Sequence, residues 1–548
     1  MSGHKFTRAI ISFTCLLFLG QGQKVQAAIP EKTPQIYKEQ HVLLRYSIAH
    51  EIKRALLNNS KSISFRAKRD RAALELFYEE RGFQPIWVRN GKLNKVALTV
   101  ISKLLAAAEE GLSPSDYPTP EKSLNSMGQL SSKELAHAEI SLTLSVLRYA
   151  EDAQAGRISP RRISKNIAQK PHRPDPVDAL QKLSRSPQPD IILGAFNPPH
   201  QGYKDLKIQL EKLRSGSHKP KRTIEVPTGP LLKLGMSGLR VSLLKKRLNV
   251  PSLPDTQEMF DADLKKAVQS FQRENGLHED GVVGARTLLS LNKHTVGNPI
   301  YDIIANMERW RWLPRELGDL HLTVNIPEFM VRLKQENKVL YKERVVVGKR
   351  SHQTPVFSDN MRHIIVNPYW NVPYSIASKE LLPEIAVNPR TYFAKGNYEV
   401  LSKGRVIDPK RVNWTKNPFK KLRIRQRPGR GNALGKIKFM FPNKHNVYLH
   451  DTPSKSLFNR SERAFSHGCV RVRNPLEFAD ALMEFQSNRS GKYLRNLIGK
   501  KETQVNLETK FPIHLTYFTS FVDEKGKLQR RPDIYGHNEK TIRILGLN

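Results

Sequence analysis

Asn446-Val447-Tyr448-Leu449-His450-Asp451-Thr452-Pro453, followed by Phe465-Ser466-His467-Gly468-Cys469-Val470-Arg471-Val472, is the stretch on which the reading of this chain turns. It sets two histidines near one cysteine. A free thiol, with a pKa of about 8.5, is only a few per cent thiolate at neutral pH, so a nucleophilic cysteine needs a base. A neighbouring imidazole can take the thiol proton and later return one to a departing amine. Ser466 adds a hydroxyl. Gly468 lets the backbone come close to a reacting carbonyl, and successive N–H groups in such a turn can hold a developing oxyanion. Neither a His–Cys pair nor a Gly-Cys dipeptide is specific alone.

The cysteine count singles out the same residue. The chain has 548 residues and two cysteines. Lys5 and Arg8 precede an apolar run over 9–19, then Gly20 and a polar segment ending in Val25-Gln26-Ala27. That is the n-region, h-region and small-residue cleavage site of an export signal, expected over 1–27. The run falls short of the roughly 20 apolar residues of a membrane span, so no transmembrane segment is expected after cleavage. Cys15 leaves with the signal and Cys469 remains as a lone thiol in a compartment where thiols meet oxidants. Two cysteines also exclude a disulfide-rich scaffold and a Cys-built zinc site. The charge is a separate clue: 91 Lys and Arg against 51 Asp and Glu give +40, and about +37 without the signal. Such a balance points to an anionic partner and names no function.

Outward from the stretch, short apolar runs at 321–326, 331–333, 344–348, 363–366 and 436–440 read as strands split by polar turns. Further upstream, Val241, Leu244 and Leu248 make one helical stripe and Leu264, Val268 and Phe271 another. Gly276-Leu277 ends the second helix, Asp280-Gly281-Val282-Val283-Gly284 is a turn, and Thr287-Leu288-Leu289 starts a third helix. The region 71–156 is helical, with Leu98, Ile101, Leu104, Leu105 and Ala108 at helical spacing, then Leu142, Val146 and Tyr149. Between 157 and 227 the composition shifts to Pro, Ser, Lys and Arg and reads mostly as loop or linker, with some helix near 205–213. The fold class is multidomain α+β: a helical N-terminal scaffold, a small three-helix module and a mainly β C-terminal half.

Two resemblances follow from these residues. Ala267-Val268-Gln269 with Phe271-Gln272, then Gly276-Leu277 and Asp280–Gly284, resemble the peptidoglycan-binding-domain-1 family over about 60 residues. Ser466-His467-Gly468-Cys469-Val470-Arg471, with His450 upstream, resembles the YkuD-type L,D-transpeptidases without a gap. Pro428-Gly429-Arg430-Gly431-Asn432-Ala433-Leu434-Gly435, Asn367-Pro368-Tyr369-Trp370-Asn371-Val372-Pro373 and the segment 307–314 resemble the large periplasmic members, so the likeness covers nearly the whole mature chain. It implies that Cys469 is the nucleophile and His450 the base, with His467 held as the alternative base. Ser466, His467 and Gly468 would shape the turn and support the anion site. Arg471 would grip a substrate carboxylate or brace the loop; Tyr448 would donate toward the oxyanion or pack in a strand. Either Asp451 or a backbone carbonyl would orient His450. The implied reaction takes a peptidoglycan tetrapeptide stem, releases D-alanine, forms a thioester and passes it to a diamino acid amine as a 3→3 cross-link. It implies no metal and no organic cofactor, wall glycan as partner of the binding module, a periplasmic location and acylation by carbapenems. Hydrolysis of the thioester, transfer to a lipoprotein lysine, and a non-catalytic wall-binding role stay as alternatives.

The expected domains are a signal over 1–27, helical scaffold and linker over 28–227, peptidoglycan-binding domain over 228–295, connector over 296–319, catalytic domain over 320–520 and a C-terminal extension over 521–548 of unknown role. A capping insertion is expected over 373–430. Its tract 403–430 holds eleven Lys or Arg and one acid, Asp408, with Trp414 and Phe419 between. A lid attracting carboxylate-bearing stems and a solvated basic loop both fit that composition. Basic residues interleaved with aromatics also suit nucleic acid, but an exported chain without a nucleic-acid motif argues against it.

Overall fold

In the computed structural model, residues 33–57, 65–120, 130–216, 224–275, 277–292 and 298–547 are described. The expected signal, Cys15 and Gly276 lie outside them. Nine strands form one sheet: β1 Leu320–Asn325, β2 Met330–Gln335, β3 Lys338–Gly348, β4 Phe357–Val366, β5 Ile437–Met440, β6 Leu449–His450, β7 Ala464–Ser466, β8 Val470–Val472 and β9 Thr503–Thr516. The order is β7-β3-β8-β6-β5-β4-β9-β1-β2, and β2 pairs with β3 again, so the sheet closes on itself. Closure follows from the length of β3. Its first half pairs with β2, Val345 and Val346 pair with β8, and Val347 and Gly348 pair with β7. Alternation sends Leu322, Val324, Val331, Leu333, Ile364 and Val366 into one core.

The stripes at 231–293 fold as expected into the helices Leu239–Leu248, Ala262–Glu274 and Ala285–Asn292. Val241, Leu244, Leu264, Val268 and Leu288 form their core. Gln272 explains the Asp-Gly turn beside it. Its buried side chain accepts from Gly281 N at 2.8 Å and donates to Val282 O at 2.9 Å, and Gly281 sits at φ +71°, a left-handed conformation that glycine adopts freely.

One expectation is corrected. The segment 157–227 is largely not linker, because its prolines begin helices rather than end them. Pro160, Pro176 and Pro189 open Pro160–Ile163, Pro176–Arg185 and Pro189–Ala195, where a missing N–H costs nothing. Ala179, Leu180, Leu183 and Leu193 are buried in the scaffold core. The connector 296–319 holds the helix Pro299–Trp310, whose Ile303, Ile304 and Met307 pack on Tyr203, Leu206 and Leu210 of helix Gln201–Arg214. Its buried Glu308 accepts from Ile158 N at 2.9 Å, and the buried Arg311 donates to Glu110 O at 2.6 Å and Tyr203 Oη at 2.9 Å. The extension 521–548 supplies the second strand of the hairpin Ser520–Val522/Leu528–Arg530 and the helix His537–Ile544.

The insertion 373–430 folds around its own core of Ala377, Ile385, Phe393, Val400, Trp414, Phe419 and Ile424. Trp414 and Phe419 are buried there, which withdraws them from base stacking. A four-stranded sheet runs through it in the order Trp370–Asn371, Leu422–Gln426, Tyr398–Ser402, Arg405–Ile407. No described helix is long and apolar enough to cross a membrane.

Candidate active site

Register brings the sequence-selected residues together. β6 runs parallel to β8 with Leu449 opposite Val470 and His450 opposite Arg471. Leu449 and Val470 point into the core beside Ile437 and Phe439. Period-two alternation therefore puts Tyr448, His450, Cys469 and Arg471 on the other face. β5 lies on the far side of β6 with Lys438 opposite His450, so Lys438 joins that face. Its Nζ stands 5.8 Å from the Tyr448 ring centre. Nothing in the sequence marked Lys438; only the strand pairing places it.

His450 is buried, and its Nδ1 lies 2.5 Å from the carbonyl oxygen of Asp451. A carbonyl only accepts, so Nδ1 carries the proton and Nε2 is left with a lone pair. Burial, with the Arg471 charge adding, pushes the imidazole down from its ordinary value to about 3, against the opposing pull of the Asp451 carbonyl and carboxylate. The Asp451 carboxylate is committed elsewhere, accepting from Lys436 N at 2.9 Å, Thr452 N at 2.7 Å and Lys455 Nζ at 2.7 Å. Of the two orienting groups weighed from sequence, the backbone carbonyl is the one in contact.

Cys469 is half-buried and is the free cysteine among the described residues. Burial pushes its thiol up from the ordinary range; the Tyr448 hydrogen bonds, Arg471 and Lys438 pull against that rise. Tyr448 is raised in turn by burial and by the neighbouring sulfur, so its hydroxyl keeps its proton. Burial lowers the pKa values of Lys438 and Arg471, and Cys469 opposes it in both; Glu502 also opposes it at Lys438. Nε of Arg471 is buried without a hydrogen-bond partner.

The turn between β7 and β8 is tied internally. Ser466 Oγ donates to Cys469 O at 2.5 Å and accepts from Gly468 N at 3.1 Å. Gly468 has φ +113°, which a side chain would strain, although the nearest atom to an added Cβ is Gln353 O at 3.6 Å. His467 turns toward the cap: its Nε2 is 2.6 Å from Oε1 of Glu380 in the π-helical turn Ala377–Leu381, and its ring lies 4.9 Å from that of His352. The two histidines thus have different neighbours, His450 on the sulfur's face and His467 under the cap. Among the described residues no cluster of His, Cys, Asp and Glu is arranged to hold a metal.

Residues 319–505 match the family model described as the L,D-transpeptidase catalytic domain. Residues 237–291 match a "putative peptidoglycan binding domain" and residues 72–210 a scaffold domain. The chain is similar to a "putative L,D-transpeptidase" of Haemophilus influenzae, 32% identical over 288 residues, 51% of this chain and 56% of that protein. It thus spans little more than half of that relative's length. Similar solved structures include an L,D-transpeptidase from Mycobacterium smegmatis, at 12% identity over 36% of this chain and 58% of that one, TM-score 0.19. Another, from Xylanimonas cellulosilytica, is 15% identical over 53% of this chain and all of that one, TM-score 0.16. Scores this low establish no shared overall architecture. By the domain matches, residues 319–505 belong to the L,D-transpeptidase catalytic domain family, in a chain that also carries a scaffold domain and a peptidoglycan-binding module.

Proposed function

We propose that this chain is a periplasmic peptidoglycan L,D-transpeptidase that forms 3→3 cross-links through a thioester on Cys469. The observation that supports this reading is the neutral, buried His450, fixed as the Nδ1–H tautomer on the face that carries Cys469. Nε2 takes the thiol proton as sulfur attacks the carbonyl of the third stem residue. The tetrahedral intermediate then collapses, and the imidazolium returns the proton to the amine of the departing D-alanine. In the second half the side-chain amine of another stem's diamino acid attacks the thioester. It gives its proton to His450, which returns it to the leaving sulfur.

The oxyanion falls to the amide of Cys469 and the Tyr448 hydroxyl, since Gly468 N is bonded to Ser466 Oγ and Val470 N to Tyr448 O at 3.1 Å. Arg471 and Lys438 meet stem carboxylates. His467 works with the cap rather than as the base. The peptidoglycan-binding module holds wall glycan, and the basic cap draws in carboxylate-rich stems. The signal-like segment and the wall substrate together put the enzyme in the periplasm. Hydrolysis and transfer to a lipoprotein lysine remain the competing fates of the thioester.

Incubation of the mature protein with defined tetrapeptide muropeptides, read by mass spectrometry, tests the reading. A 3→3 dimer with free D-alanine, absent in Cys469→Ala, supports it. Tripeptide alone makes the enzyme a carboxypeptidase, and sacculus binding without turnover makes the chain a binding protein. A carbapenem adduct is expected on the peptide carrying Cys469. An adduct elsewhere overturns the choice of nucleophile.

A further inference from the structure

The turn that carries Cys469 is also held from outside. Its Gly468 carbonyl accepts from Thr354 Oγ1 at 2.8 Å, and the same Oγ1 accepts from Gly348 N at 2.8 Å. Thr354 is fully buried. One hydroxyl therefore ties the turn to the end of β3. The residues around Thr354 are in turn fixed by the C-terminal segment. Tyr535 Oη donates to Gly348 O at 2.6 Å and accepts from Thr354 N at 3.2 Å. Burial pushes this phenol up to about 12, so it stays a donor. Tyr535 is itself locked. Its ring stacks on Tyr517 at 5.6 Å, its N–H donates to Tyr517 Oη at 2.8 Å, and Tyr517 Oη donates to Asp533 Oδ1 at 2.6 Å. Asp533 Oδ2 accepts from Asn538 N at 2.8 Å and Glu539 N at 3.0 Å at the start of the last helix. On the other side the scaffold straps the same loop: Val356 N donates to Asn166 O and Ala168 N to Val356 O, both at 2.8 Å.

We propose that Thr354 and Tyr535 are positioning residues that hold the Gly468 carbonyl, so that the C-terminal segment braces the turn presenting Cys469. The inference rests on Cys469 being the nucleophile proposed above. Neither hydroxyl bonds to the sulfur or the imidazole, so each acts through the Thr354–Gly468 tie. Loss of that tie frees a turn whose Gly468 has wide backbone freedom, and the thiol wanders from its attack geometry. The C-terminal segment thereby acquires a role that its sequence did not suggest.

The test uses the full mature chain with Thr354→Val, Thr354→Ser and Tyr535→Phe. Thr354→Val keeps the shape and removes the donor, Thr354→Ser restores the hydroxyl, and Tyr535→Phe removes the phenol alone. D-alanine release from the tetrapeptide muropeptide gives kcat and KM, and iodoacetamide labelling of the Cys469 peptide gives thiol reactivity. Thr354→Val should lower kcat about ten- to a hundredfold with KM within about threefold; Tyr535→Phe should lower kcat about three- to tenfold, and Thr354→Ser should stay within about threefold of wild type. A wild-type kcat in Thr354→Val, or equal impairment in Thr354→Ser, overturns the proposal. If Thr354→Val does not fold, an unchanged kcat in Tyr535→Phe overturns it. If the wild type turns over no muropeptide, the functional reading has failed and labelling alone decides the brace. A labelling rate changed about threefold or more in Tyr535→Phe then supports it, and an unchanged rate refutes it.

Discussion

Acidification should loosen the strands around His450, and a single substitution should remove that effect. An unfolded histidine titrates near 6.5, while burial holds His450 down to about 3. The folded state therefore refuses a proton that the unfolded chain accepts between these values. Stability is fully present above about 6.5, falls as pH drops through that window and levels off below about 3. A full pH unit inside the window is worth about 1.4 kcal/mol, and since half of the unfolded rings are already protonated at pH 6.5, going from 6.5 to 5 costs about 1.6 kcal/mol, a roughly fifteenfold change in opening. The chain has several cores and does not offer one global unfolding step, so the readout must be local. Amide hydrogen exchange of peptides spanning 436–451 and 463–473, corrected for intrinsic pH dependence, reports β5, β6 and β8 directly. His200, His514 and His537 are also pushed down, each to about 4 by burial. They act equally in wild type and His450→Gln, so the difference between the two proteins isolates His450. Wild type should lose about fifteenfold protection between pH 6.5 and 5 beyond any loss in His450→Gln. Parallel pH curves would refute the reasoning, because the ring would then be free to protonate in place and would not be the locked neutral base.

Ser466→Ala removes both internal ties of the turn, leaving Cys469 O and Gly468 N unmet at about 1–3 kcal/mol each; kcat should fall well over tenfold, and Ser466→Thr should restore most of it. Gly468→Ala puts a side chain at φ +113°, a strain of about 1–3 kcal/mol; faster exchange over 465–470 with an unchanged remainder of the sheet is the expected map. Lys438→Met keeps the apolar stem and deletes a charge facing the sulfur; KM for tetrapeptide should rise and iodoacetamide labelling of Cys469 should need higher pH, since one cation favouring thiolate is gone. Gln272→Leu strands the buried Gly281 N in the binding module; peptides over 277–291 should lose protection while those of the catalytic sheet do not.

The local chemistry was legible because it depends on residue type at short spacing. Cys469 stood out as the lone thiol outside the expected signal segment, and Ser466, Gly468 and His450 lay within a few residues of it or on the facing strand. The stripes at Val241 and Leu264 were equally direct, since a helical period needs no knowledge of distant chain. Prolines misled between 157 and 227 because the same residue ends one helix and begins the next; Leu180 and Leu193 had to be seen buried before Pro176 and Pro189 read as starts. The packing of 296–319 was not legible because its apolar residues, Ile303, Ile304 and Met307, find partners on a helix about 100 positions earlier.

By itself, then, the sequence determined the order of parts, the cysteine proposed as nucleophile and the residue types around it. Tertiary structure decided which groups share a face and what each one faces. The parallel pairing of β6 with β8 brought His450 beside Arg471, and the antiparallel pairing with β5 added Lys438, from residues more than ten positions away. It paired His467 with Glu380 of the cap, gave the orientation of His450 to a backbone carbonyl, and tied Gly468 through Thr354 to Tyr535. The His467–Glu380 contact and the two Thr354 ties join residues 87, 114 and 181 positions apart. Spacing along the chain carries no information about them; hydrogen-bond register and the closure of the sheet do.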